Sequence, residues 1–468
     1  MLTYSLDKTK GISLYEQLYD AIRGDIVRGA LTTGEKLPSK RALAAHLEIS
    51  VVTVENAYEQ LAAEGYIRSE EKRGYYVCPV DRPPAAQTAR HGVPEPEENE
   101  EREWFLDFVT NSTAAEYFPF DTWARLMRRT ILDKSTDLLR PTPSTGALEL
   151  RRAIADWLRA FRGMSVSASQ IILGAGTESL YSLLIKLLGR DKCYAVEDPG
   201  YSKIAKIYES DDVTVRRIEL DEAGLSARAL RRSDADVVHI SPSHHYPTGI
   251  VMPIGRRQEL LRWAGEKEGR YILEDDYDSE FRFVGRPIPT LFAADERERV
   301  IYLNTFSKTI APSIRMSYMI LPPHLLAAYR RRLGFYACTV SSFEQYTLAE
   351  FLAQGHYEHH LGRMKTRYHK KRDAVIDAIR AGLPRAEIME QDAGLHFLVR
   401  LDTALPDDEL QTRAAEQGIR LALLSDYYSD ARKAPPHVLV VNYSGIQLER
   451  LAEGLRRLNN ILEENDHV

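Results

Sequence analysis

Ile171-Ile172-Leu173-Gly174-Ala175-Gly176-Thr177 is an apolar run that breaks into a glycine-rich turn, and a helical stretch follows over residues 179–188. A short β-branched run, a turn and an amphipathic helix, in that order, make one strand–turn–helix unit of an α/β fold. The alternation continues outward. Apolar runs at 193–196, 237–240, 271–273, 300–303 and 318–321 are separated by amphipathic segments. This predicts an α/β fold, a largely parallel sheet with helices on both faces. Ligands of such sheets sit at the carboxyl ends of the strands. Beyond about residue 345, a long charged helical stretch and strands at 395–400 and 437–443 predict a smaller α+β part.

The chain has 468 residues, a mass of 53.3 kDa and a net charge of −6. That length predicts two or three domains, and the mild acidity excludes a polybasic nucleic-acid coat. No apolar run approaches the roughly 18 residues of a membrane helix. Residues 1–8 lack the charged-then-apolar layout of a signal peptide, so a cytoplasmic location is expected. Cys78, Cys193 and Cys338 are far apart and form no C-x-x-C pair. Neither a disulfide framework nor a metal site is expected. Residues 79–103 hold five prolines, six glutamates from Glu95 to Glu103 and almost nothing large and apolar. Such a segment cannot recover its ordering entropy through burial. Domains at 1–78 and 104–468, joined by a flexible linker at 79–103, are expected.

Three strand ends of the large piece carry chemistry. Gly174-Ala175-Gly176-Thr177 lies between a strand and a helix start, where backbone N–H groups suit phosphate. Asp275 follows the strand Tyr271-Ile272-Leu273-Glu274. Lys308 closes Thr305-Phe306-Ser307-Lys308, just after the strand at 300–303, and Arg315 follows seven residues later. Singly, each has an ordinary alternative: a tight turn, a solvated carboxylate, a surface lysine. Together they point to pyridoxal 5′-phosphate (PLP). A lysine of lowered pKa forms a Schiff base, a carboxylate neutralises a pyridinium nitrogen, and Ser307 with Arg315 binds the phosphate.

The first 78 residues have a different texture. Leu14, Leu18, Ile22 and Ile26 recur every four residues behind Ser13 and end near Gly29, which predicts a helix. Ser39 caps a second helix. Glu48-Ile49-Ser50-Val51 turns into a third, with Val54, Ala57, Tyr58 and Leu61 on one face. Two short strands follow around Glu71-Lys72-Arg73. The layout is a winged helix-turn-helix. Lys plus Arg number 10 and Asp plus Glu 11 in residues 1–78, so any DNA face is local. Its candidates are Ser39, Lys40 and Arg41 on the second helix, Thr53 and Asn56 on the third, and Lys72 and Arg73 at the wing tip. The alternative is a dimerisation module whose charges are solvated.

Leu37-Pro38-Ser39-Lys40-Arg41-Ala42-Leu43-Ala44, Thr53-Val54, Ala57-Tyr58 and Glu64-Gly65-Tyr66-Ile67 resemble the GntR family of bacterial winged-helix regulators. Many relatives carry arginine where this chain has Val51. The second piece resembles fold-type I, class I aminotransferases. The resemblance is carried by Glu197-Asp198-Pro199-Gly200-Tyr201, Pro242-Ser243-His244-His245-Tyr246-Pro247-Thr248-Gly249, Glu274-Asp275-Asp276-Tyr277 and Thr305-Phe306-Ser307-Lys308 with Arg315. The fusion is similar to the MocR subfamily of transcriptional regulators. That resemblance implies PLP on Lys308, Asp275 at the pyridine nitrogen, Tyr277 at the ring hydroxyl and Tyr201 stacked on the ring. It implies Gly176, Thr177, Ser307 and Arg315 around the phosphate, and a head-to-tail homodimer. Tyr246 stands where aminotransferases have an asparagine. Val440 stands where they carry the arginine that clamps a substrate α-carboxylate.

Valine cannot supply a bidentate guanidinium clamp. The expectation is a regulator, not an enzyme: it binds promoter DNA and senses PLP itself or a small amine or amino acid. No catalytic residue is assigned, and a half-transamination stays open. Some members of the subfamily control PLP synthesis genes. The alternative is an active aminotransferase with an accessory DNA-binding domain. Lys203 and His244 are the further effector candidates, against a solvated lysine and a packed histidine.

Overall fold

The computed structural model describes residues 2–7, 11–80, 102–111, 115–283, 288–389 and 394–463. They fall into two compact units, Met1–Arg102 and Glu103–Val468. Most of the expected linker, residues 81–101, lies outside the described residues.

In the first unit α1 (Leu14–Arg28), α2 (Lys40–Leu47) and α3 (Val51–Ala63) precede a hairpin of β1 (Ile67–Glu70) and β2 (Gly74–Val77). Leu18, Ile22 and Ile26 turn one face of α1 inward, and Gly29 at φ 79° ends it. A left-handed residue there suits glycine, which has no Cβ to clash. Ser39 and Ser50 cap α2 and α3, their hydroxyl oxygens accepting the N–H of Ala42 and Thr53 at 3.2 and 3.1 Å. Val54, Ala57, Tyr58 and Leu61 are fully buried against α1 and the hairpin. Lys72 at φ 61° makes the wing turn, and the strands pair from Ile67↔Val77 to Glu70↔Gly74. The layout expected from the sequence is the layout found.

The second unit starts with β3 (Leu106–Asp107). Its main sheet holds β4 (Ile171–Ala175), β5 (Cys193–Asp198), β6 (Thr214–Asp221), β7 (Gly224–Leu225), β8 (Val237–Ile240), β9 (Tyr271–Asp275), β10 (Val300–Thr305) and β11 (Met316–Ile320). Their spatial order is β4-β11-β10-β9-β8-β5-β6-β7. Neighbours from β10 through β9, β8 and β5 to β6 are parallel. β11 runs antiparallel to both β10 and β4. The expected strand at 318–321 therefore begins earlier and runs the other way. Alternate residues face opposite layers, as the two-residue period demands. Leu173, Tyr302 and Tyr318 enter one core, and Ile172, Ile301, Leu303 and Met319 enter the other.

The smaller part is an antiparallel sheet of β12 (Glu387–Met389), β13 (His396–Arg400) and β15 (Val438–Asn442). Helices His356–Gly382 and Leu448–Glu463 contribute to the core beneath it. β14 (Ile419–Arg420) pairs in parallel with β3, which ties the start of this unit to its far end. No described helix is long and apolar enough to cross a membrane.

Candidate cofactor site and nucleic-acid interface

β4, β5, β8, β9 and β10 run in one direction, so their carboxyl ends meet at one edge of the sheet. A cavity of about 550 Å³ opens there. Gly176, Thr177, Tyr201, Asp275, Tyr277, Ser307, Lys308 and Arg315 all line it, so the fold brings the whole expected cofactor set together.

Asp275 ends β9 and is 5% exposed. Its Oδ2 accepts the Tyr181 hydroxyl at 2.5 Å and faces His239 Nε2 at 3.3 Å. Tyr208 holds the other ring nitrogen of His239, Nδ1, at 2.7 Å. A tyrosine hydroxyl donating to Nδ1 leaves the proton on Nε2, directed at the carboxylate. Oδ1 of Asp275 has no partner among the described residues. A buried carboxylate oxygen left open is costly unless a donor fills it, and a protonated pyridine nitrogen is such a donor.

Lys308 follows β10. Burial holds its ammonium below the usual lysine range, while the Asp278 carboxylate pulls it partly back. A depressed pKa leaves more neutral amine for addition to an aldehyde. Its Nζ lies 3.5 Å from the carbonyl oxygen of Asn111. The segment ending at Asn111 is held along its length. Phe105 N–H donates to the Gly418 carbonyl at 2.8 Å, the Phe108 carbonyl accepts Asn442 N–H at 2.9 Å, and Ser444 donates to the Asn111 side chain at 2.7 Å.

The phosphate end lies at the start of helix Thr177–Leu188. Gly176, at φ 82°, packs so closely on the Arg315 guanidinium that a Cβ there would come within 2.9 Å of it. Glycine is needed for both reasons, and the bare backbone leaves room for an anion beside the arginine. Arg315 pairs with Glu178 at 3.0 Å, and Lys203 pairs with the same carboxylate. Those hydrogen bonds, Lys203 first, hold the Glu178 carboxyl below its usual range. Ser307 is oriented by Thr305, whose Oγ1 accepts the Ser307 N–H at 3.1 Å. Tyr201 is 51% exposed at the mouth, edge-on to Tyr246.

Two expectations change. His244 does not line the cavity: it is 3% exposed and its Nδ1 lies 2.9 Å from Asp278 Oδ2, with the His396 ring 4.5 Å away. The packed histidine is what the fold contains, because Gly394 lets the chain close against it. Lys203 does line the cavity, but as half of an ion pair. Val440 is fully buried with Leu398, Ala422 and Val438, beneath Tyr246 and Tyr427. The two phenol oxygens are 2.7 Å apart. Cationic side chains on the cavity wall are Lys203, Lys308 and Arg315.

Sequence reading missed Tyr181, His239, Glu197 and Asn442, which also line this cavity. His239 had a signal, since it sits on β8 level with Leu273 of β9, two residues before Asp275. Tyr181 lies one helical turn after Thr177. Burial pushes the Glu197 carboxyl up to about 8, opposite His245, whose imidazole burial lowers to about 3. Their 3.5 Å contact thus joins two neutral groups near pH 7.

In the first unit Arg41, Asn56, Lys72 and Arg73 are exposed. Ser39 serves as the α2 cap. Lys40 is held by Glu55 at 2.6 Å and lies over the Tyr75 ring, so its charge is neutralised within the unit. Thr53 Oγ1 lies 2.8 Å from Ser50 Oγ. Arg73 makes only a loose pairing with Glu70, at 3.8 Å.

Comparison with known proteins finds two families in the chain. Residues 14–77 match the bacterial regulatory proteins of the gntR family, and residues 110–454 match aminotransferase class I and II. An uncharacterized HTH-type transcriptional regulator, YdeL of Bacillus subtilis, is 37% identical, with 98% of each chain covered. The probable rhizopine catabolism regulatory protein MocR of Rhizobium meliloti is 31% identical over 97% of this chain and 95% of its own. The HTH-type pyridoxine biosynthesis transcriptional regulator PdxR of Corynebacterium glutamicum is 33% identical over 91% of both. Among solved structures, a kynurenine aminotransferase of Pyrococcus horikoshii superposes with a TM-score of 0.68 at 23% identity. It covers 78% of this chain and 92% of its own. The fold and site thus define a helix-turn-helix head on an aminotransferase-class domain. The chain belongs to the aminotransferase class I and II family and, with its GntR head, to the MocR-type regulators. PLP is the cofactor of that aminotransferase family, and the residues gathered here fit it.

Proposed function

We propose that this chain is a PLP-binding transcriptional regulator. Its first domain, residues 1–78, binds promoter DNA. The effector domain, 104–468, holds PLP and responds to PLP supply or to a small amine, and 79–103 joins the two. Control of PLP synthesis genes is the leading role, supported by the name of the Corynebacterium relative. Bound PLP supplies an aldehyde and an electron-withdrawing ring. Lys308 would hold it covalently, Asp275 Oδ1 would take the ring N–H, and Tyr277 would face the ring hydroxyl. Gly176, Thr177, Ser307 and Arg315 would hold the phosphate. Phe120, Leu132, Leu139 and Phe335 are apolar and 62–87% exposed, side chains that a head-to-tail homodimer could cover.

One observation carries the sensing reading: a complete cofactor set beside a buried, apolar Val440. Among the described residues, the cationic side chains that line the cavity besides Lys308 are Lys203 and Arg315, and both are paired to Glu178. The test compares DNA binding by the PLP-free and PLP-loaded protein, then adds GABA and amino acids. A shift on PLP loading supports the reading. Unchanged affinity and footprint with PLP, but a shift with one amino acid, overturns PLP as signal. Steady turnover with amino acids and 2-oxoglutarate would make the chain an enzyme instead.

A further inference from the structure

The leading turn of α3 is apolar where a DNA-reading helix meets base edges. Recognition helices enter the major groove with their N-terminal residues against the bases. Here the first two residues of α3, Val51 and Val52, are 42% and 61% exposed. Single exposed apolar side chains are ordinary. Two adjacent β-branched ones in the first helical turn serve neither helix propensity nor the dipole, which favour straight-chain and acidic residues there. The polar groups around them are occupied within the unit. Ser50 and Thr53 turn their hydroxyls onto the cap. Glu55 is neutralised by Lys40. Asn56 is exposed, four residues after Val52 and therefore on the same face of the helix. The tip presents methyl groups, with one amide a turn behind.

We infer that Val51 and Val52 read the C5-methyl groups of thymine in the major groove, an inference that rests on the DNA-binding reading above. Thymine is the base that offers a methyl group on that edge, and apolar side chains are its complement. Set against guanine or adenine, a valine would bury hydrogen-bonding atoms without a partner. Asn56, on the same face, suits an adenine beside the thymine.

The test uses the full-length protein and duplexes that it selects from a random pool. Each selected thymidine is replaced in turn by deoxyuridine, which removes only the methyl group. Wild-type binding should weaken about three- to fourfold at one or two positions per half-site, the effect of withdrawing one buried methyl. Val51→Ser and Val52→Ser remove both side-chain methyl groups at exposed positions, so they should melt close to the wild type. They should lose the uracil sensitivity and keep the salt dependence. Specific binding without sensitivity at any thymidine, or sensitivity unchanged in both variants, overturns the inference. Enrichment of no duplex at all overturns the DNA-binding reading and this one with it.

Discussion

The cofactor pocket and the DNA-facing surface use similar residues in opposite surroundings. At the sheet edge, Asp275 and Lys308 are enclosed, and five parallel strands aim their ends at one point. On the first unit, Arg41, Lys72 and Arg73 project from a capping turn and a wing into water. Convergence is a property of the sheet, so residues far apart in sequence meet there without having to be near one another in the chain. A solvent face imposes no such convergence, and neighbours such as Glu55 can claim a lysine first. One pocket is over-determined. The other surface is a set of separable contacts.

The largest effect should follow from removing the amine. Lys308→Ala should lose the cofactor completely on desalting, and borohydride treatment, which marks the Lys308 peptide in the wild type, should mark none. Retention of the same visible absorbance would break the comparison at its firmest point. Asp275→Ala should weaken PLP binding about 100-fold, since it removes a charge-assisted hydrogen bond from a buried site. Titration of cofactor fluorescence checks this.

At the DNA face the effects should be smaller and additive. Arg41→Ala with Arg73→Ala should flatten the slope of log K against log salt by about 2, one for each phosphate contact. Fluorescence anisotropy from 50 to 200 mM salt measures it, and an unchanged slope would remove both arginines from the interface. Smaller again is a pH effect. Glu197 has an ordinary carboxyl value of 4.5 when unfolded and about 8 when folded. Between those values the folded chain keeps a proton that the unfolded chain has lost. Its contribution to stability is therefore present below pH 4.5 and lost as pH rises through 8. Glu197→Gln should flatten the fall in melting temperature between pH 6 and 8.5 by about 2 °C or more. The smallest change should come from Lys40→Ala, less than about threefold in DNA affinity, because Glu55 already neutralises that charge.

The two regions were unequally legible in the sequence. Strands buried on both faces write themselves as apolar runs, so β4, β5, β8, β9 and β10 and the chemistry at their ends could be found. Direction is absent from such runs. β11 runs antiparallel to β10 across a connection, residues 306–315, too short for a crossover helix, and nothing in its apolar residues announces that. His244 misled because a histidine beside a ligand motif looks the same whether it faces the cavity or Asp278. The Lys40–Glu55 pair joins α2 to α3 across 15 residues, a distance that no periodicity encodes.

The segment ending at Asn111 behaves as a taut cord. It is fastened at Phe105 by Gly418, at Phe108 by Asn442, and at Asn111 by Ser444, with the Lys308 amine against its last carbonyl. Each fastening holds a different stretch of backbone, and the contact with Lys308 closes the run that reaches back to Phe105, near the start of this unit. Deuterium uptake by the Phe105 and Phe108 amides, timed with and without PLP, would therefore clock what the lysine is holding from outside the pocket.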